Sequence, residues 1–345
     1  MGRVTQRRQA FLDVLRVLAT MAVVLMHAVS GVLNGGYDFT GWDRRVKAFH
    51  ALVDVCAVSV PVFLMISGYL FLDPKREITW KDALFRYCRR ILLALLVFGI
   101  PFSLLEQIMT VKDFSLSMLP TAVWHTLTGR SWSHLWYLYL ILILYALTPA
   151  LKWVLAKYPN AATWGLMLLI LLGSSLIPYC LAFLGVGLRW PIPNELIYLF
   201  YYLCGYVFVT KKGIYSKRGA MTCFAVFLVL EVMAGALRFV EEYQIDMAYA
   251  NPLTVFASIL LFAGIRFLWE DKEVGKAVTF LSPLCFGIYL IHPVFLNFCY
   301  KFLHVSIMDF RFFIGVPLFF LIAYVGALIG TWILRKIPVF RKYVL

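Results

Sequence analysis

Charge is scarce in this chain. Only 14% of its 345 residues are Asp, Glu, Lys or Arg, against roughly a quarter in an average soluble protein, while 62% are hydrophobic and 17% aromatic. That shortage excludes a water-soluble globular domain, which could not cover so much apolar surface. Acid is scarcer than base, 18 residues against 32, for a net charge of +14. The basic residues are nevertheless scattered over short loops rather than gathered on one polar domain, which argues against a nucleic-acid binder and reads as a set of orientation marks. Cysteine is limited to Cys56, Cys88, Cys180, Cys204, Cys223, Cys285 and Cys299, none of them in a CxxC or metal-ligand spacing, and these read as reduced packing residues with no metal site. Long linkers, low-complexity tracts and soluble insertions are also missing, so residues 1–345 read as one membrane domain.

What the sequence has is apolar runs of about twenty residues, each long enough to cross a bilayer core of roughly 30 Å. They lie near 11–33, 50–72, 87–108, 134–153, 162–184, 194–210, 219–239, 251–269, 279–300 and 312–334. The expected fold is an all-α polytopic membrane protein, with about ten transmembrane helices around a central cavity. The first run is too long, and too closely followed by further spans, to be only a cleaved signal peptide. "MGRVTQRRQ", "DPKREITWKDALFRYCRR", "KKGIYSKRG" and "RKIPVFRKYVL" are rich in Lys and Arg and share one side of this arrangement, whereas "EEYQIDMAYAN" falls on the other. The asymmetry predicts both termini in the cytoplasm, with "YDFTGWDRRVK" and "DKEVGK" giving little help.

Within the spans the ionisable residues are few and placed by depth. Arg16 and His27 lie eleven residues apart in the first run, on nearly the same helical face and separated by roughly 16 Å along the axis. One reading is that Arg16 snorkels to the interface while His27 satisfies a neighbouring helix; the other is that both face one cavity at different depths. Asp54, Glu106, His134, Glu195, Glu231, Arg238 and His292 lie in or at the ends of other spans, and costly intramembrane groups of this kind mark cavities and pathways. Glu231 and Arg238 are also readable as interhelical pairing residues. His50, His125 and His304 read as loop or interface residues.

On the inner side Arg86, Arg89 and Arg90 open the third span beside "FLMISGYLF", where Ser67 and Gly68 form a small-residue break that permits close approach to the backbone. Such a guanidinium cluster suits phosphates, and ordinary positive-inside anchoring is the competing account.

Arg16 with His27, "FLMISGYL" at 63–70, Arg86 with Arg89, "HLWYLYLILILYALTPAL" at 134–151 and "IYLIHP" at 288–293 form an ordered set spanning almost the whole chain. Together they resemble the membrane-bound acyltransferase-3 family, and within it the branch containing the enterobacterial common antigen O-acetyltransferase and the membrane part of the vancomycin-resistance serine racemase. The resemblance implies a ten-helix bundle that transfers an acyl group, commonly acetyl from acetyl-CoA, to a hydroxyl of a cell-envelope glycan or lipid-linked sugar. It also implies a multi-pass protein of the bacterial inner membrane. No part of the 345 residues resembles the SGNH-type hydrolase domain appended to some relatives, so the membrane domain is expected to finish the reaction alone.

Carried onto this sequence, the resemblance implies that Arg16, Arg86, Arg89 and Arg90 hold the donor's phosphates and that the pantetheine arm passes Ser67 and Gly68 toward His27. An imidazole is suited to take a proton from a hydroxyl at neutral pH, which makes His27 the expected catalytic base. Transfer through an acyl-histidine is the alternative. His292 is the second catalytic expectation, on the acceptor side or in oxyanion stabilisation. Asp54, His134, Trp136, Tyr137 and Tyr289 are expected to contact the acceptor, the aromatic residues by stacking on a sugar, with the interfacial aromatic belt as the other account. The expected partners are acyl-CoA, the glycan acceptor and the lipid bilayer, with no nucleic acid and no metal, and the oligomeric state is left open. A small-molecule transporter or flippase of the envelope is the competing function, and a non-catalytic partner of an envelope assembly complex is a third. A phosphate site on one side only distinguishes transfer from transport.

Overall fold

An apolar segment surrounded by lipid finds no water for its peptide groups, so it satisfies them internally, as a helix. The computed structural model describes residues 9–33, 44–158, 160–186, 190–210, 217–240, 248–270 and 272–345, and its regular elements are all helical. Much of the segments "MGRVTQRRQ", "KKGIYSKRG" and "EEYQIDMAYAN", whose charges predict the orientation, and of "YDFTGWDRRVK" lies outside the described residues.

In chain order the helices are α1 (Ala10–Leu33), α2 (Arg44–Cys56), α3 (Ser59–Phe71), α4 (Trp80–Val111), α5 (Met118–Leu127), α6 (Trp136–Lys157), α7 (Asn160–Phe183), α8 (Ile197–Thr210), α9 (Lys217–Leu237), α10 (Pro252–Trp269), α11 (Lys276–Phe302) and α12 (Phe312–Leu334). Among the described residues nine helical segments are long and apolar enough to cross a membrane, with α2 and α3 joined as one of them. Among the described residues the span expected at 194–210 is a short turn, Asn194–Leu196, followed by the fourteen residues of α8, about 21 Å of helix. α8 is buried against α3.

The break between α2 and α3 has a local cause. Pro61 has no N–H to give the carbonyl of Ala57, and its ring crowds that carbonyl, so the helix is interrupted at residues 57–58. Restarting at Ser59 brings α3 close to α8: a Cβ on Gly68 would lie 1.9 Å from the Tyr202 carbonyl oxygen, and one on Gly205 would lie 2.3 Å from that of Met65. The two glycines let the backbones touch.

α1 is the hub of the bundle. It packs on α2, α3, α10, α11 and α12, and its buried residues, among them Phe11, Leu15, Val23, Val24 and Ala28, belong to the main apolar core. Outer helices such as α9 leave Leu228, Val229 and Val232 more than half exposed, as expected of side chains whose solvent is lipid. The seven cysteines form no disulfide.

Candidate functional site

Two cavities meet inside the bundle. The first, of about 640 Å³, is long: Arg16, Arg76 and Arg90, with Phe71 beneath Arg76, line one end, and His27, His134 and Tyr289 the other, with Ser67 and Tyr145 also in its wall. The second, of about 620 Å³, is polar, with Glu106, Gln107, His125, Arg130, Trp132 and Asn297 in its wall. Its wall also contains His27 and His134, so these two residues lie where one cavity gives way to the other.

α1 sets the geometry of the long cavity. Arg16 and His27 stay in a single uninterrupted helix, which keeps the separation of roughly 16 Å given by its rise. Arg16 is held by Asp13 one turn earlier at 3.0 Å, and Asp13 also accepts a hydrogen bond from Ser282 of α11 at 2.6 Å. This buried carboxylate offsets part of the cost of a cation within the helix.

The arginine end differs in membership from the sequence expectation. Arg16 and Arg90 are there, whereas Arg86 and Arg89 are exposed and outside the cavity wall. Arg76 takes their place. It donates to the Leu70 carbonyl at 3.2 Å and to the Tyr87 hydroxyl at 2.8 Å, with its guanidinium over the Phe71 ring. In the sequence it is one more basic residue of an inner loop, and only folding of that loop back over α3 brings it to the cavity. Arg90 donates to the Leu345 carbonyl, placing the C-terminal segment against the same opening. Ser67 lines the cavity, whereas Gly68 faces α8.

At the far end three histidines converge. Ring centroids are 5.0 Å apart for His27 and His292, 5.7 Å for His134 and His292, and 6.3 Å for His27 and His134. Each ring gives one nitrogen to a backbone carbonyl: His27 Nδ1 to Val23 at 2.9 Å, His134 Nε2 to Leu290 at 3.1 Å, and His292 Nδ1 to Tyr289 at 2.8 Å. A carbonyl only accepts, so those nitrogens carry the hydrogen, and in a neutral imidazole the opposite nitrogen is bare. The open position on His27 is therefore Nε2. Tyr289 locks the cluster by donating its hydroxyl to the His134 carbonyl. Among the described residues no group of three or more His, Cys, Asp or Glu is arranged to hold a metal ion.

His292 owes its orientation to its neighbour in sequence. Pro293 has no N–H and leaves the carbonyl of Tyr289 without its helical donor, and the His292 ring supplies one. His292 itself is fully buried behind His27 and lines neither cavity.

The polar cavity is largely invisible in sequence. Lys301 Nζ reaches both carboxylate oxygens of Glu106, at 2.6 and 2.7 Å, and the Trp132 indole N–H donates to the same group at 3.1 Å. Trp132 is stacked on Phe102 at 4.2 Å. His125, which reads in sequence as a loop or interface residue, lies in this wall with Nδ1 3.4 Å from Ser103 Oγ. Trp136, Tyr137 and Tyr289, expected to contact the acceptor, line the long cavity. Asp54 lines neither: Arg238 Nη2 donates to its Oδ1 at 2.9 Å, tying α2 to the end of α9. Arg238 thus reaches across to another helix rather than to Glu231 of its own. Glu195 is exposed in its short turn.

One family model, described as an acyltransferase domain, matches residues 9–336 of the chain. No curated protein and no solved structure matches it.

Proposed function

The chain belongs to this acyltransferase family, and from that premise we propose that it moves an acetyl group from cytoplasmic acetyl-CoA to a hydroxyl of a cell-envelope glycan or lipid-linked sugar. The observation that carries this reading is that His27 and His134 line both cavities. Donor and acceptor then approach from opposite sides of one imidazole.

In this account the phosphates of the donor rest on Arg16, Arg76 and Arg90, whose guanidinium groups offer charge-assisted hydrogen bonds. The pantetheine arm runs past Ser67 and between Tyr137 and Tyr145, and the thioester reaches His27. The acceptor occupies the polar cavity, where Glu106, Gln107, Arg130 and Asn297 supply donors and acceptors for a polyhydroxylated molecule and the Trp132 indole supplies an apolar face. His27 Nε2 takes the hydroxyl proton as the oxygen attacks the thioester carbonyl; the carbon–sulfur bond breaks, and the proton passes from His27 to the departing thiolate. His134 and Tyr289 flank the reacting carbonyl. The basic segments named above favour cytoplasmic termini in a bacterial inner membrane, and the motif set favours the branch with the common antigen O-acetyltransferase and the serine racemase membrane part.

The test uses purified protein in lipid vesicles. Acetyl-CoA is expected to be cleaved slowly without acceptor, with release of free thiol, and cells carrying the gene are expected to place label from acetate on an envelope glycan. Vesicles that do not turn over acetyl-CoA, together with glycans that gain no label, overturn the proposal. Uptake of a small solute in place of thiol release would point to the transport reading.

A further inference from the structure

The buried ring of His292 presents a second nitrogen that neither the fold nor the proposed reaction uses. Nδ1 is committed to the Tyr289 and Ile288 carbonyls, so Nε2 is a bare lone pair. It is sealed from both cavities and has no hydrogen-bond partner among the described residues. Burying an unpaired acceptor costs free energy that an apolar side chain of the same shape would not incur, and a catalytic role is one of the reasons a fold keeps such a group.

The position of the atom indicates its use. The His27 ring centroid is 5.0 Å from that of His292, close enough that a rotation of the His27 ring brings one of its N–H groups within hydrogen-bond reach of an acceptor on His292. While His27 is neutral, its single N–H is held by the Val23 carbonyl, and nothing calls on His292. Once His27 has taken a proton both of its nitrogens carry hydrogen: one N–H stays at the cavities for the departing thiolate, and rotation of the ring gives the other to His292. The other titratable side chains around His292 are His134 at 5.7 Å and Tyr289 at 6.4 Å; the first has its N–H on Leu290 and the second its hydroxyl on His134. His27 is the member of the group whose protonation leaves it with two N–H donors, one for the thiolate and one for His292.

We infer that His292 is a positioning residue for His27: its bare Nε2 accepts a hydrogen bond from the His27 imidazolium and holds that cation between the two cavities until the thiolate takes the proton. The inference rests on the proposed acyl transfer. No atom is gained or lost in this step. The proton that leaves the acceptor hydroxyl stays on His27, His292 accepts the bond without becoming charged, and the proton departs with the donor's sulfur.

The experiment compares His292→Leu and His292→Gln in purified protein, reading donor affinity, turnover and thermal stability. Leucine fills the space and removes both the Nε2 acceptor and the N–H that serves the Tyr289 carbonyl, the second a packing loss that thermal stability reads, whereas the glutamine amide can still donate and accept. His292→Leu is expected to keep the wild-type KM for acetyl-CoA and to lose turnover by roughly 10- to 100-fold, the worth of one hydrogen bond to a charged group. His292→Gln is expected to recover most of that loss. Equal turnover in wild type and leucine variant overturns the inference, as does a leucine variant whose loss glutamine does not restore. If both variants unfold, His292→Asn, which also keeps an acceptor, is compared with His292→Val, and equal turnover by that pair overturns the inference in the same way. A wild-type protein that transfers no acyl group tells instead against the proposed function.

Discussion

His27 has one ring nitrogen on the Val23 carbonyl and the other open where the two cavities meet, so its substitutions separate chemistry from packing. His27→Gln can still hydrogen-bond within the helix but cannot take a proton at neutral pH. Its turnover is expected to fall by roughly 10² to 10⁴, the usual contribution of a positioned base, with acetyl-CoA still bound through the distant arginines. Near wild-type transfer by that variant would reassign the imidazole to packing. The arginines offer a second comparison. Arg76→Ala or Arg16→Ala is expected to weaken acetyl-CoA binding by about 1.5 to 3 kcal/mol, as for other hydrogen bonds to charged groups, whereas Arg89→Ala, outside the cavity wall, is expected to change it little. Titration calorimetry on the solubilised protein measures both, and equal losses in all three would place the phosphates elsewhere.

Among the elements, α3 and α11 do most to shape the site, and both do it through residues that are poor helix formers. Pro61 ends α2, and the restart lets α3 lie against α8 at Gly68 and Gly205, so Ser67, one residue round the helix from that contact, reaches the long cavity. A methyl group at Gly68 meets backbone, which cannot rotate away as a side chain can. Gly68→Ala is therefore expected to cost at least about 1 to 3 kcal/mol of stability, the range for overpacked cores, seen as a lower unfolding temperature in detergent. Unchanged stability would mean that α3 and α8 are not in backbone contact. In α11 the proline acts by subtraction, since the carbonyl it leaves unpaired is the one that turns His292. The "HP" in "IYLIHP" is thus a device for orienting an imidazole.

For the molecule as a whole, the proposed reaction requires the arginine end to face the compartment that contains acyl-CoA. A reporter fused after Leu345, beside that end, is expected to be active only in the cytoplasm; activity solely outside the cell would reverse the orientation. The membrane-spanning, all-helical architecture was legible in sequence because it follows from composition and run length, which are local properties. So was the alignment of Arg16 with His27, because both lie in one helix and its period is fixed. The sequence could not reveal that Arg76 rather than Arg89 faces the cavity, that Trp136, Tyr137 and Tyr289 belong to the long cavity, or that Asp54 is tied to Arg238. These depend on which helices are neighbours and how a loop folds back, and hydropathy is silent on both because lipid-facing and buried faces are equally apolar. The polar cavity, built from α1, α4, α5, α11 and the turn before α6, exists only once segments far apart in the chain converge, and tertiary structure alone decides that.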